Sequence, residues 1–282
     1  MPELPEVEIT ARLLDRALAG ASVESVLAPG INTLKTFAPP LAELEGRSLR
    51  HVARRGKQFI IGFDGGLALV IHLMSAGRLQ LYESRAGLRD RTSRLLVRFT
   101  DGRELRLREF GTKQAAWVKL LDEEALAGDE SLARLGPEAW PEPPADLADR
   151  LSEPRPLYAA LRDQHLIAGI GRSWVDEILW TARISPFKRG ADLEAPEVET
   201  LAGAIRSTLA GALEHYEATL ELPLPDKLPM PLLVHRHGGE PCRRCGTTLE
   251  SVSFEDYVMS YCPTCQTEGR VLKDRRLSRL LK

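Results

Sequence analysis

The chain has 282 residues, of which 43% are hydrophobic and 28% charged, a balance that excludes disordered and collagen-like chains and allows about two domains. No apolar run approaches the 18 or so residues of a membrane span, and the start MPELPEVEIT carries neither the basic nor the apolar region of a secretory signal. The net charge of −2 means that a nucleic-acid-binding surface would have to be a local basic patch, because the whole-chain field supplies none. All four cysteines lie in the last forty-one residues, where their spacing points to a metal rather than to disulfides. A reducing cytoplasm fits these features.

Residues 5–19 place Val7, Ala11, Leu14 and Leu18 at helical spacing, with Gly20 where a helix-terminating residue belongs. Pro5 suits a first helical turn, since its missing N–H would have had no partner there. From about 21 to 121 the pattern changes to short strands. QFIIGF and LALVIHL flank Asp64-Gly65-Gly66, and SRLLVRF and ELRLREF flank Asp101-Gly102. The Asp-Gly pairs supply the positive-φ positions of tight hairpin turns, so both read as β-hairpins. Several hairpins after one helix predict a β-sandwich or flattened barrel.

Residues 136–156 are proline-rich and acidic, and read as a linker with at most short helices. Helical periodicity returns in LYAALRDQHLIAG, SWVDEILWTAR and EVETLAGAIRSTLAGALEHYEATL. Between the first two lies Ala168-Gly169-Ile170-Gly171. This turn could be a plain helix corner. It could also aim the N-terminus of the next helix, beginning near Arg172-Ser173-Trp174, at a phosphate.

Cys242-Arg-Arg-Cys245 and Cys262-Pro-Thr-Cys265 are separated by sixteen residues, enough for a hairpin. Two such knuckles let four thiolates converge on one Zn²⁺. Four protein ligands leave no open position, so this zinc is expected to be structural. A redox pair is the competing reading for a single Cys-x-x-Cys. The tail GRVLKDRRLSRLLK, with six basic residues and one acidic residue, is either a solvated end or a phosphate-facing element.

Three stretches, in order, carry a resemblance that spans effectively the whole chain. Met1-Pro2-Glu3-Leu4-Pro5-Glu6-Val7-Glu8 resembles the N-terminus of the formamidopyrimidine-DNA glycosylase/endonuclease VIII family. Asp163-Gln164 through Gly171, with Asp176-Glu177-Ile178-Leu179, resembles that family's helix–two-turn–helix segment, and Glu240 to Gln266 resembles its zinc finger. The resemblance implies an α+β multidomain chain. Its expected parts are an N-terminal helix with a catalytic β-sandwich domain (1–130), a linker with a helix–two-turn–helix domain (131–232), and a zinc-finger β-hairpin (233–282).

It further implies a monomeric DNA-repair enzyme that binds damaged double-stranded DNA between its domains and flips the damaged nucleotide out. Such an enzyme acts as glycosylase and abasic-site lyase, with one structural zinc as its only cofactor. Its expected place is the cytoplasm, associated with the nucleoid. Proline as second residue normally permits removal of Met1, which leaves Pro2 with a secondary amine. A chain-terminal amine has a pKa of about 8, so a useful fraction is unprotonated at neutral pH. By residue-for-residue transfer, Pro2 is the nucleophile, Glu3 the proton shuttle, Glu6 a supporting carboxylate and Lys57 the sandwich lysine that reaches the DNA. Arg54, Arg55, Phe110, Gly169, Gly171, Arg172 and Tyr257 are the expected DNA contacts. Cys242, Cys245, Cys262 and Cys265 are the metal ligands.

Four positions depart from the family pattern. Arg172 stands where an asparagine is usual, and Tyr257 where the finger carries an arginine. Met74, in His72-Leu73-Met74-Ser75-Ala76-Gly77, is displaced by one residue, which would turn a strand side chain to the other face. Glu109, in Arg108-Glu109-Phe110-Gly111, stands where an arginine normally reads the opposite base, while Phe110 keeps the ability to wedge between bases. These departures leave the nucleophile intact and alter the grip on DNA. A preference for 8-oxoguanine opposite cytosine is therefore not carried over. The alternatives are a non-catalytic binder of damaged or unusual DNA structure on the same scaffold, or a glycosylase for oxidised pyrimidines or bulky lesions.

Overall fold

The computed structural model describes residues 2–30, 32–87, 90–110, 114–254 and 257–272. It divides into two compact units, one formed by 1–134 with 215–229 and the other by 135–214 with 230–282.

The first unit begins with helix α1 (Leu4–Leu18), whose apolar stripe Val7, Ala11, Leu14 and Leu18 is buried. Ala19 caps it and Gly20 follows at φ +83°, a left-handed conformation that a glycine adopts without steric cost. Eight strands follow: β1 (Val23–Leu27), β2 (Leu49–Arg55), β3 (Gln58–Phe63), β4 (Ala68–His72), β5 (Gly77–Tyr82), β6 (Ser93–Phe99), β7 (Glu104–Glu109) and β8 (Trp117–Leu121). They form two antiparallel four-stranded sheets, ordered β1-β6-β7-β5 and β2-β3-β4-β8.

Alternation along the strands points Phe59, Ile61 and Phe63, Leu69 and Ile71, Leu95, Val97 and Phe99, Leu105 and Leu107, and Val118 and Leu120 into one core with the α1 stripe. Each such side chain contributes roughly 1.5–3 kcal/mol by leaving water. Both expected hairpins are present, but their loops are longer than two-residue turns. The first closes through a helical turn at Asp64–Gly66 with Gly65 and Gly66 both at φ +74°, and the second through residues 100–103 with Gly102 alone at positive φ. The aspartates sit outside the positive-φ positions because glycine occupies them at no steric cost.

Short helices α2 (Glu123–Ala127) and α3 (Glu130–Ala133) close this part of the unit, each capped by an aspartate side chain, Asp122 and Asp129.

The second unit contains α4 (Leu147–Arg150), α5 (Leu157–Ala160), α6 (Arg172–Ala182) and most of α7 (Ala195–Thr219), with β9 (Glu250–Ser253), β10 (Val258–Tyr261) and α8 (Pro263–Thr267). The stretch expected to be a loose linker is built into the fold. Ala139 donates to the Ala168 carbonyl, Ala168 donates to Pro137, and Ala139, Leu147 and Leu151 are buried. The helix expected over 157–169 ends after one turn. Asp163 accepts from the His165 N–H and Gln164 accepts from the Gly169 N–H and donates to the Ile170 carbonyl, so side chains take the partners that helix continuation would use. No helix among the described residues is long and apolar enough to cross a membrane.

Candidate active site

The first residues of the chain are fixed by a buried carboxylate. Pro2 is partly exposed and Glu3 and Glu6 are buried. Glu6 accepts the Glu3 N–H at 2.9 Å as its half of a reciprocal capping box, and its other oxygen accepts the Tyr216 hydroxyl at 2.7 Å. Burial, then the adjacent Glu6 charge, raises the Tyr216 phenol well above its ordinary range, so it remains a donor to this carboxylate. The arrangement holds Pro2 at the head of α1 with the Glu3 carboxylate one residue away. Glu8, one turn along, ties α1 to the sandwich through Arg54, 2.7 Å away.

Arg54 belongs to that internal pair, with its side chain only 6% exposed. It therefore positions β2 against α1. Arg55 is partly exposed at the end of β2, opposite Gln58 across the turn. Gly56, at φ +58°, makes that turn and places the largely buried Lys57 at its tip.

His72 lies opposite Gln58 and Trp117, at the same end of this sheet, and stacks on Trp117 with centroids 5.6 Å apart. Burial, and then the charge of Lys57, pushes the imidazole down to about 4. Its Nδ1 accepts the Met74 N–H at 2.9 Å, which leaves Nε2–H as an available donor. The sequence reading missed His72 as a site residue. Its signal was the register, because a histidine one residue from the turn opposite Lys57 must share that lysine's field.

Met74 lies beyond β4, in a turn at φ +50°, so the expected strand-face reversal does not apply to it. Glu109 is also corrected. It follows Leu105 and Leu107 on the inward face of β7, is 2% exposed, and accepts the N–H groups of Ala115 and Ala116. The arginine beside Phe110 is Arg108, whose guanidinium lies 4.6 Å from the ring centroid. Period-two alternation would have identified it, since 108 and 110 share a face that 109 does not.

In the second unit Gly169, at φ +105°, takes a conformation that a side chain would strain, and Gly171 caps α6 by accepting the Val175 N–H. Arg172 is the first residue of α6. Tyr257 lies in the β9–β10 loop, its ring parallel to Phe254 and Tyr158.

Helix α6 also anchors the C-terminal module. Glu177 accepts the N–H groups of Leu233, Val234 and His235, and Asp176 accepts from Ser260 and pairs with His235 at 2.7 Å. Burial raises both carboxylates, Asp176 to about 7 against the opposing pull of His235.

The four cysteine sulfurs lie within 4.8 Å of one another, with individual separations of 3.5, 3.5 and 4.0 Å. A tetrahedral zinc with Zn–S bonds of about 2.3 Å spaces its sulfurs about 3.8 Å apart. The donor set therefore fits one structural zinc held by Cys242, Cys245, Cys262 and Cys265. Trp180 of α6 donates to Cys242 Sγ at 3.3 Å, a contact from outside the ligand set. The basic tail beyond residue 272 lies outside the described residues.

Comparison with known proteins agrees with this geometry. Residues 1–112 match the formamidopyrimidine-DNA glycosylase N-terminal domain, 135–223 its H2TH domain, and 239–267 the zinc finger found in FPG and IleRS. The formamidopyrimidine-DNA glycosylase of Chloroflexus aurantiacus is 34% identical, over 94% of this chain and 98% of that protein. That of Herpetosiphon aurantiacus is 33% identical, over 94% and 100%. Among solved structures, Lactococcus lactis Fpg (MutM) in complex with N7-benzyl-Fapy-dG DNA superposes with a TM-score of 0.84 at 26% identity, covering 94% of this chain and all of that one. The chain belongs to the formamidopyrimidine-DNA glycosylase family, whose members are DNA-repair glycosylases with abasic-site lyase activity.

Two outcomes follow. Tyr216→Phe removes one donor from the buried Glu6 carboxylate, and is expected to cost about 1–3 kcal/mol, read as a lower melting midpoint. An unchanged midpoint would remove Tyr216 from the support of the chain start. For His72, the unfolded chain binds a proton near pH 6.5 and the folded chain only near 4, so stability is complete above that window and is lost as pH falls through it. Urea unfolding across pH 4–7 is expected to show this loss, reduced in His72→Gln. An identical profile in the variant would show that the imidazole is not held neutral.

Proposed function

We propose that this enzyme removes a damaged base from duplex DNA through a covalent intermediate on Pro2 and then cleaves the strand by elimination. The observation that carries the reading is the placement of Pro2 and Glu3 at the head of α1, locked by Glu6 and Tyr216. With Met1 removed, the unprotonated Pro2 nitrogen attacks the sugar C1′, and the base departs with the electron pair of the broken glycosidic bond and takes up the proton that the nitrogen sheds. Glu3 donates the proton that opens the sugar ring, and its carboxylate then faces the positive iminium. The iminium acidifies the C2′–H. Loss of that proton expels the 3′ phosphate, and water releases the sugar from Pro2. Glu6 keeps the nucleophile in place and takes no proton in this sequence.

Lys57, Arg55 and the Nε2–H of His72 are the sandwich groups suited to the phosphates. Arg108 and Phe110, stacked on each other, suit the space left by the extruded nucleotide. Gly169, Gly171, Arg172 and Tyr257 form the grip of the second unit. The domain division at 130 and 232 is kept as the functional one, with chemistry in the first part and grip in the other two. The enzyme acts as a monomer on damaged DNA, in the cytoplasm at the nucleoid. Zinc holds the finger and takes no part in bond making.

Borohydride trapping on an abasic-site duplex tests the reading. Protein beginning at Pro2 is expected to give a covalent adduct, and protein retaining Met1, whose Pro2 nitrogen is an amide, to give none. Failure of the Pro2 form to give an adduct, with binding intact, would favour a non-catalytic binder on the same scaffold.

A further inference from the structure

The Tyr257 ring gathers two arginines from different elements. The guanidinium carbon of Arg172, at the head of α6, lies 5.2 Å from its centroid, and that of Arg162, from the turn after α5, lies 4.6 Å from it. Arg162 is also 4.8 Å from the centroid of the buried Tyr158, which itself lies parallel to Tyr257 at 5.6 Å and 14°. Phe254 supports Tyr257 at 4.4 Å and 16°. Two cations are thus less than about 10 Å apart, near the distance over which physiological salt screens charge, and each feels the other. Among the described residues no carboxylate pairs with Arg162. Ring faces attract guanidinium groups, and two planar guanidinium forks that converge on one ring are placed to share the oxygens of one anion. Gln164 fixes the backbone beneath this cluster by donating to the carbonyls of Arg162 and Ile170.

We propose that Arg162 and Arg172, seated on Tyr257, form a paired-guanidinium site for one phosphodiester of the DNA backbone, with Tyr257 acting through its ring and not its hydroxyl. This rests on the reading that duplex DNA is the partner, and it deepens that reading by adding Arg162 to the grip. It makes Tyr257 a positioning residue whose contribution is to hold the charges. Hydroxyl donation from a tyrosine would bring no charge to the phosphate. Two guanidinium groups bring two, in a planar form that matches phosphate oxygens.

The test measures affinity for a duplex carrying a reduced abasic site, which involves no Pro2 chemistry, at several salt concentrations. Arg162→Ala and Arg172→Ala are each expected to lower the slope of log affinity against log salt, the double variant by about 0.9, and each to weaken binding roughly tenfold at low salt. Tyr257→Ala is expected to weaken binding similarly, and Tyr257→Phe to restore it. Neutral methylphosphonate linkages placed one at a time locate the contact. At one position the neutral linkage should weaken the parent enzyme more than it weakens Arg162→Ala or Arg172→Ala and leave the double variant unaffected, whereas weakening by free inorganic phosphate alone, with no such position, would identify an adventitious anion site.

The melting midpoint and zinc content of each variant separate loss of fold from loss of grip. If Tyr257→Ala does not fold, Arg162→Ala and Tyr257→Phe decide the question. An unchanged slope in Arg162→Ala, or a Tyr257→Phe form with the salt slope of Arg172→Ala, overturns the proposal. Loss of adduct formation with these binding results intact would overturn the Pro2 mechanism alone.

Discussion

A terminal amine is a useful nucleophile only if the first residues of the chain, normally the most mobile, are held still. Here one buried carboxylate does this. Glu6 closes the capping box onto the Glu3 N–H and takes the Tyr216 hydroxyl with its other oxygen, so that residues more than two hundred positions apart in sequence fix the head of α1. Glu8 and Arg54 then join that helix to the strand leading into Lys57. The sandwich core supplies the stability, and these few polar contacts direct it toward the end of the chain. A carboxylate this buried is favourable only because both its oxygens are engaged.

Helix α6 performs the corresponding service in the second unit. Its buried acids Asp176 and Glu177 hold the segment 233–235 and Ser260 of β10, while Trp180 reaches Cys242. The zinc module is thereby fastened to the same helix whose first residue is Arg172. The glycine turn, the finger hairpin and the paired arginines are consequences of one anchored element. Burial that raises Asp176 toward neutrality is offset by the His235 partner and by the backbone donor of Ser260.

Much of this was legible in the sequence because the signals were local. The α1 stripe, the Asp-Gly hairpins and the two Cys-x-x-Cys knuckles each depend on residues within a few positions of one another, and the structure contains all of them. Long-range pairing was not legible. Nothing near Arg54 in sequence announces Glu8 as its partner, and Tyr216 carries no sign of Glu6. The inward turn of Glu109 is legible from strand alternation, which puts 109 on the face of Leu105 and Leu107, whereas the motif around Phe110 carries no information on faces. The structured course of 136–156 was hidden by its proline content, which describes what the backbone cannot do and says nothing of what it packs against. His72 required the β3–β4 register before its relation to Lys57 could be seen.

The proposed mechanism turns on which nitrogen becomes bonded to the sugar. After borohydride trapping on an abasic-site duplex, protease digestion and mass spectrometry of the adduct read this directly. The deoxyribose remnant is predicted on the peptide that begins with Pro2, at its terminal nitrogen. A remnant mapped to Lys57 or to any other lysine would contradict the mechanism.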